Sequence, residues 1–221
     1  MATLNLGVLV SGSGTNLQAI LDAVAEGRID ARVRIVVSNK PNVLALERAA
    51  RANVPTRVLS HRDYANREAF DEALVATLRE AGVDLVVLAG FMRILTPRFL
   101  DAFPDRVVNI HPSLLPAFPG VDSQKQAFDY GVKIAGCTVH FVDTGTDTGP
   151  IIAQAAVPVL DEDDAESLRR RILEQEHELL VSVLGWLSEG RVELVRDAAG
   201  GRTRVRVRGA ETARGLSGTR R

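Results

Sequence analysis

Apolar residues dominate three stretches of the chain: Leu4 to Val10, Val33 to Val37 and Asp84 to Ala89. Runs this continuous predict strands buried on both faces of a parallel sheet. Between them the apolar period changes. Leu17, Ile20, Leu21 and Val24 have helical spacing in a segment starting near Asn16, and Gly27 supplies a stop. A helix over about 43–52, a short strand over 56–59 and a helix over about 66–81 follow, the last with Phe70, Leu74 and Leu78 on one face. Strands alternating with helices imply right-handed crossovers. The expected fold is therefore α/β, a doubly wound and mostly parallel sheet with 84–89 as its central strand.

The pattern changes after Gly120. A short helix is expected over 124–130, then strands over 133–142 and 151–158. Their connection, 143–150, is too short for a helical crossover, so this pair reads as a C-terminal antiparallel extension. A long helix over about 164–187 carries the stripe Leu168, Ile172, Leu179, Val183 and Leu187, and Gly190 lies just beyond it. Residues 192–195 read as one more strand. No linker or repeat interrupts residues 1–198, so they form one expected domain, with halves of about 1–106 and 107–198.

Charge separates the remainder. Residues 199–221 hold seven arginines against Glu211, a net +6, which leaves −7 on residues 1–198 of a chain whose total is −1. An acidic body argues against a nucleic-acid surface. The tail, rich in Gly, Arg and Thr, is expected to stay mobile and to be dispensable for the chemistry. Within it, Val205 and Val207 alternate with arginines in the manner of a short edge strand. No apolar run approaches bilayer length, and no basic leader precedes the first strand, so a cytoplasmic location is expected. Cys137 is the only cysteine, which excludes an intrachain disulfide.

The candidate chemistry lies in Val107-Val-Asn-Ile-His-Pro-Ser-Leu-Leu-Pro-Ala-Phe-Pro-Gly120. Asn109 and His111 leave a strand end on the same face. Pro112, Pro116 and Pro119 then forbid helix or central strand and stiffen the loop. Near the start, Gly12-Ser-Gly-Thr-Asn joins strand to helix and offers backbone N–H groups to an anion at Gly14, Thr15 and Asn16. A tight turn with an Asn cap is the competing reading. The dinucleotide and Walker endings are missing. His140 is either a core residue or one facing the pocket, His177 lies mid-helix and His61 on a surface loop. None has metal-ligand spacing backed by other ligands, so no metal is expected.

The 107–120 run resembles the signature of the folate-dependent formyltransferases. Further matches are Ser11-Gly-Ser-Gly-Thr-Asn-Leu-Gln18, Leu88-Ala-Gly-Phe-Met-Arg-Ile-Leu95, Val139-His-Phe-Val142, Asp147 with Gly149-Pro150, and Gln175-Glu-His177. The resemblance runs from Leu6 to about Arg196. It implies the formyltransferase fold and 10-formyltetrahydrofolate as co-substrate. The implied reaction formylates the amine of N1-(5-phosphoribosyl)glycinamide (glycinamide ribonucleotide) in purine biosynthesis, by direct attack through a tetrahedral intermediate. Asn109, His111 and Asp147 would be catalytic. Gly14, Thr15, Asn16 and Glu176 would hold the ribonucleotide. Arg67, Met92, Arg93, Ile94, Leu95, Asn109, Asp143, Thr144, Gly145, Thr146 and Asp147 would hold the folate. Leu173 stands where the family carries a partner for Glu176. Thr148 stands where the family often has Gly, and a positive φ there would carry a penalty. Partners would be these two small molecules, with no membrane; a homodimer is left open. The alternatives are another enzyme using 10-formyltetrahydrofolate, such as a formyltetrahydrofolate hydrolase, or an inactive nucleotide-binding module. Relatives that formylate methionyl-tRNA or hydrolyse the folate carry extra domains for which this chain has no room.

Overall fold

The computed structural model describes residues 3–197 and 201–214. Its strands are β1 (Leu4–Val10), β2 (Ala31–Ser38), β3 (Thr56–Val58), β4 (Leu85–Leu88), β5 (Val107–His111), β6 (Ile134–Phe141), β7 (Ile151–Pro158), β8 (Val192–Val195), β9 (Arg204–Val207) and β10 (Ala213–Arg214). The helices are α1 (Thr15–Ala25), α2 (Leu44–Arg51), α3 (Arg67–Glu80), α4 (Pro97–Ala102), α5 (Ser123–Tyr130) and α6 (Ala165–Ser188). One sheet has the order β10-β7-β6-β5-β4-β1-β2-β3, and β8 pairs with β9 separately. From β3 through β5 every pairing is parallel. β6 runs antiparallel to both β5 and β7, so the expected extension is where the loop length put it.

The sheet carries a core on each face. On one, Val8, Val10, Val87, Val108 and Val139 meet α1 and α6 through Leu17, Ile20, Leu168, Ile172 and Leu180. On the other, Leu9, Val37, Val86 and Val107 meet α3 and α4 through Phe70, Leu74, Leu78 and Phe99. Central strands alternate which side chain goes to which face, yet both faces are dry, and so they read as continuous apolar runs. Helix α6 begins on a capping box, in which Asp164 accepts from Ser167 N and Ser167 Oγ accepts from Asp164 N. Asp163 and Arg171 form a bidentate pair at 2.6 and 2.7 Å beside that cap, which holds the Asp163 carboxyl well below the ordinary carboxylate range.

Two features depart from the sequence reading. Helix α4, six residues with Pro97 in its first turn, has no counterpart there; it is too short for a period to be counted. The tail is also partly built in. The short edge strand expected at Val205 and Val207 is present as β9, which pairs antiparallel with β8 and places Val205 opposite Leu194 and Val207 opposite Val192. Ala213 and Arg214 add to the edge of β7, pairing with Gln154 and Ala155. The expectation of a mobile tail therefore gives way over 201–214, because two open strand edges offer its backbone hydrogen bonds that composition does not reveal. Residues 198–200 and 215–221 lie outside the described residues.

Candidate active site

Strands β5, β4 and β1 are adjacent and parallel, so their C-terminal ends open side by side. Beyond β1 the chain winds toward β2 and β3, whereas β4 and β5 lie on the other side. That reversal leaves a crevice above the strand ends where ligands bind in doubly wound sheets. The loops after β1 (11–14), β4 (89–96) and β5 (112–122) all converge on it.

At the end of β5, register decides which groups meet. The antiparallel pairing sets Asn109 opposite His140 and His111 opposite Thr138. Asn109 Nδ2 lies 3.1 Å from His140 Nε2. His140 Nδ1 lies 2.8 Å from the Phe141 carbonyl, which can only accept. The proton of His140 therefore sits on Nδ1, Nε2 accepts, and the Asn109 amide must turn its NH2 toward the ring. Burial pushes the His140 pKa down and keeps the ring neutral, although Asp147 nearby opposes the shift. The second proton of Asn109 Nδ2 is left for another acceptor.

His111 is held by the proline-rich loop. Its Nε2 donates to the Phe118 carbonyl at 3.0 Å, with Ser123 Oγ at 3.1 Å. That loop is itself tied down: Thr138 Oγ1 donates to Ser113 O at 2.7 Å, and Gln154 Nε2 to Leu115 O at 2.9 Å. The Leu115–Pro116 bond is cis. The other ring nitrogen, Nδ1, faces Asp147 Oδ2 at 3.4 Å, and Asp147 Oδ1 is 3.8 Å from His140 Nε2. Asp147 Oδ2 also accepts from Gly120 N at 2.8 Å. An amide, an imidazole and a carboxylate thus converge at one strand end. The imidazole has one proton committed to a carbonyl and one nitrogen open to proton exchange beside an anion.

The loop carrying Asp147 corrects one expectation. Positive φ falls on Asp147 itself (54°), and Thr148 is not among the left-handed residues. Aspartate tolerates that region better than most side chains, so the anticipated penalty at Thr148 does not arise.

The loop after β4 presents Met92 and Ile94 at 61% and 59% exposure. Two long apolar side chains left in solvent beside a polar site form a wall suited to a flat ligand. Arg93 is half-buried between them. Leu95 departs from the expectation, because its side chain is buried in the α3–α4 core and does not line the crevice. Arg67 does not stand free either: its Nη2 donates to the Ile94 carbonyl at 3.0 Å, bracing the wall. Asp71, buried on α3, accepts from Thr96 N at 2.6 Å. Burial raises the Asp71 pKa against that hydrogen bond. Ser11 Oγ accepts from Met92 N at 2.8 Å and donates to Asn39 Oδ1 at 2.6 Å. Asp71 and Ser11 were missed in the sequence. For Asp71 a signal existed, since it shares helical spacing with Leu74 and Leu78.

On the far side of the crevice, Gly14 caps α1 with φ 71°, and Thr15 and Asn16 open the helix. Their N–H groups point along the helix axis toward any anion there. Arg48 Nε donates to Ser13 O at 2.9 Å and brings positive charge to the turn. Asn16 is turned inward, with Nδ2 donating to Glu176 Oε2 at 2.7 Å. Its Oδ1 is buried with no partner among the described residues. Burial raises the Glu176 pKa, with the Asn16 hydrogen bond and Arg169 opposing. A carboxyl with a raised folded pKa destabilises the fold as pH climbs above 4.5, where the unfolded group ionises first. Glu176→Gln is therefore expected to gain stability relative to the wild type as pH rises from about 4.5, and denaturant unfolding across pH would measure it. Constant relative stability across that range would contradict the assignment.

Among the described residues no three His, Cys, Asp or Glu side chains cluster so as to hold a metal ion. No described helix is long and apolar enough to cross a membrane.

Strand-end amide, imidazole and carboxylate on a doubly wound sheet can together offer hydrogen bonds and exchange a proton. The sequence model of the formyl transferase family matches residues 4–184, and the chain belongs to that family. It is 43% identical over 196 residues to the phosphoribosylglycinamide formyltransferase of Escherichia coli K12, covering 89% of this chain and 92% of that protein. It is 52% identical over 187 residues to the trifunctional purine biosynthetic protein adenosine-3 of Drosophila melanogaster, covering 84% of this chain. There the chain spans only 14% of the relative's length. The solved glycinamide ribonucleotide transformylase 1 from Symbiobacterium toebii superposes with a TM-score of 0.88 at 53% identity, over 93% of this chain and 94% of that one.

Proposed function

We propose that the protein transfers the formyl group of 10-formyltetrahydrofolate to the amine of glycinamide ribonucleotide, a step of purine biosynthesis. The observation that carries this reading is the convergence of Asn109, His111 and Asp147 between an apolar wall and a helix N-terminus. Similarity to a phosphoribosylglycinamide formyltransferase over 92% of that protein supports the choice of substrates. Ribonucleotide phosphate fits the N–H groups of Gly14, Thr15 and Asn16, and the unpartnered Asn16 Oδ1 can accept from a sugar hydroxyl. A flat pterin fits against Met92 and Ile94, with Arg93 and the loop Asp143, Thr144, Gly145, Thr146 and Asp147 around it.

In the chemical step the amine attacks the formyl carbon, and the new C–N bond pushes charge onto the formyl oxygen. The free N–H of Asn109 stabilises that oxyanion. The attacking nitrogen carries an excess proton, which the folate nitrogen needs as it leaves. His111 Nδ1 with Asp147 takes up that proton and returns it, so the pair acts as one acid–base unit. The C–N bond to the folate then breaks.

Mixing the protein with 10-formyltetrahydrofolate, with and without glycinamide ribonucleotide, tests the reading. Deformylation is expected only when the ribonucleotide is present. Equal deformylation without it would assign a hydrolase instead.

The phosphate site has its own test. A Cβ on Gly14 would lie 2.6 Å from Ala45 Cβ and 2.7 Å from Ala45 Cα, at a φ that disfavours side chains. Gly14→Ala is therefore expected to displace the turn, weakening ribonucleotide binding roughly tenfold, the equivalent of one lost charge-assisted hydrogen bond. Folate binding should be little changed. Calorimetry showing equal loss of both ligands by a folded variant would sink the assignment.

A further inference from the structure

The loop 143–148 holds its shape by contacts that the proposed chemistry does not itself use. Asp143 Oδ1 accepts twice, from Gly145 N at 3.1 Å and from Thr148 Oγ1 at 2.7 Å. The hydroxyl of Thr148 thus closes the loop from inside. The packing is close enough that a Cβ on Gly145 would fall 2.0 Å from Thr148 Oγ1. From outside, Arg202 Nη2 donates to the Thr148 carbonyl at 2.8 Å. Arg202 belongs to the basic C-terminal segment, just ahead of β9. Between segment and loop lies a cavity of about 250 Å³ bordered by Asp105, Asp143, Thr148, Arg196 and Arg202. On the other side of Thr148 the chain is fixed again, because Gly149 runs so close to β6 that a Cβ there would sit 1.8 Å from the Phe141 carbonyl.

Asp147 stands between these anchors, and its backbone is in the left-handed region. Aspartate tolerates that conformation better than most side chains, yet an extended or right-handed φ is still the lower-energy choice, so the contacts on either side decide which is kept. Were the loop to relax toward a more favourable φ, the carboxylate would leave Gly120 N and His111 Nδ1 together. We propose that Thr148 and Arg202 are positioning residues that hold Asp147 in its working pose, and that the C-terminal segment thereby takes part in the reaction from outside the crevice. This rests on the reading of Asp147 as part of the acid–base unit, and it runs against the expectation that the tail is dispensable. Thr148 supplies two independent handles: its hydroxyl ties it to Asp143 and its carbonyl to Arg202. A glycine at this position would offer only the second.

The test uses full-length Thr148→Val, Thr148→Ser, Arg202→Ala and Arg202→Lys. Gly120 N–H donates to Asp147 Oδ2, so its hydrogen exchange reports the carboxylate's placement without any reference to turnover. Loss of one hydrogen bond that holds the pose corresponds to about a fivefold change. Thr148→Val and Arg202→Ala are expected to speed Gly120 exchange and lower kcat by about that factor. The KM for the ribonucleotide should stay unchanged. Thr148→Ser and Arg202→Lys, which keep a donor, should stay near wild type. In an Asp147→Asn background, Thr148→Val and Arg202→Ala should cost no further turnover. Unchanged Gly120 exchange in both Thr148→Val and Arg202→Ala overturns the proposal, as does an equal loss of kcat with and without Asp147. If exchange at Gly120 responds while the wild type transfers no formyl group, the positioning stands and the functional reading is what fails.

Discussion

Asp147→Asn is expected to lower the turnover number about a hundredfold to a thousandfold, within the range that general acid–base catalysis contributes. His111 has its Nε2 proton committed to the Phe118 carbonyl, and only Nδ1, 3.4 Å from Asp147, is open to exchange. A proton arriving from the amine must sit between an imidazole and a carboxylate. An amide at position 147 can keep its oxygen toward Gly120 N and His111 Nδ1, but it carries no charge to offset the imidazolium. Ground-state binding of either substrate should change far less, because the lost interaction belongs to the charged intermediate. His111→Ala should be about as damaging, and the double variant scarcely worse than either, since residues acting as one unit are not additive. Turnover and KM for the two single variants and the double decide it. Losses that multiply independently would show two separate roles.

How much of this could be read along the chain depends on the distance over which each feature is set. The buried strands announced themselves because both of their faces are dry: Leu6, Val8, Leu9 and Val10 are fully buried. The antiparallel extension followed from the short connection between its strands, and α6 from a stripe that the structure buries at Leu168, Ile172, Leu179 and Val183. Asn109 and His111 were legible as a pair because strand alternation puts them on one face. What faces them was not. That His140 stands across from Asn109, 31 residues away in the chain, is a matter of register between β5 and β6, fixed by turns and packing. The same holds for Arg202 and Thr148, 54 residues apart. Composition marked the tail as mobile, since it counts packable side chains and cannot count backbone partners waiting on open edges. Asp71 stands out only as an acid on the apolar stripe of its helix, and Ser11 looks ordinary; the partner of each, the backbone N–H of Thr96 and of Met92, is encoded by no side-chain pattern.

Asn109→Ala should also lose about a hundredfold to a thousandfold in turnover with KM values little altered, as expected for an oxyanion donor. More informative is how its partner should make activity depend on pH. His140 accepts from Asn109 only while Nε2 is bare. Burial depresses its pKa below the ordinary 6.5, while Asp147 and Asp143 pull upward and His111 pulls down. The ring is thus neutral at pH 7 and gains its second proton only in more acidic solution. When it does, Nε2 becomes a donor facing the NH2 of Asn109, and the amide must turn its oxygen toward the ring. The N–H aimed at the oxyanion then points away. Activity is expected to be full above the depressed pKa and to fall as pH drops through it, on the acid side of 6.5. His140→Gln keeps an acceptor for Asn109 but removes the titration. That variant should retain most of its turnover at pH 7 and lose the part of the acid limb that belongs to His140. Profiles of kcat against pH for the wild type, His140→Gln and Asn109→Ala carry the comparison. An acid limb unchanged in His140→Gln would assign it to the His111–Asp147 pair and leave His140 a packing residue.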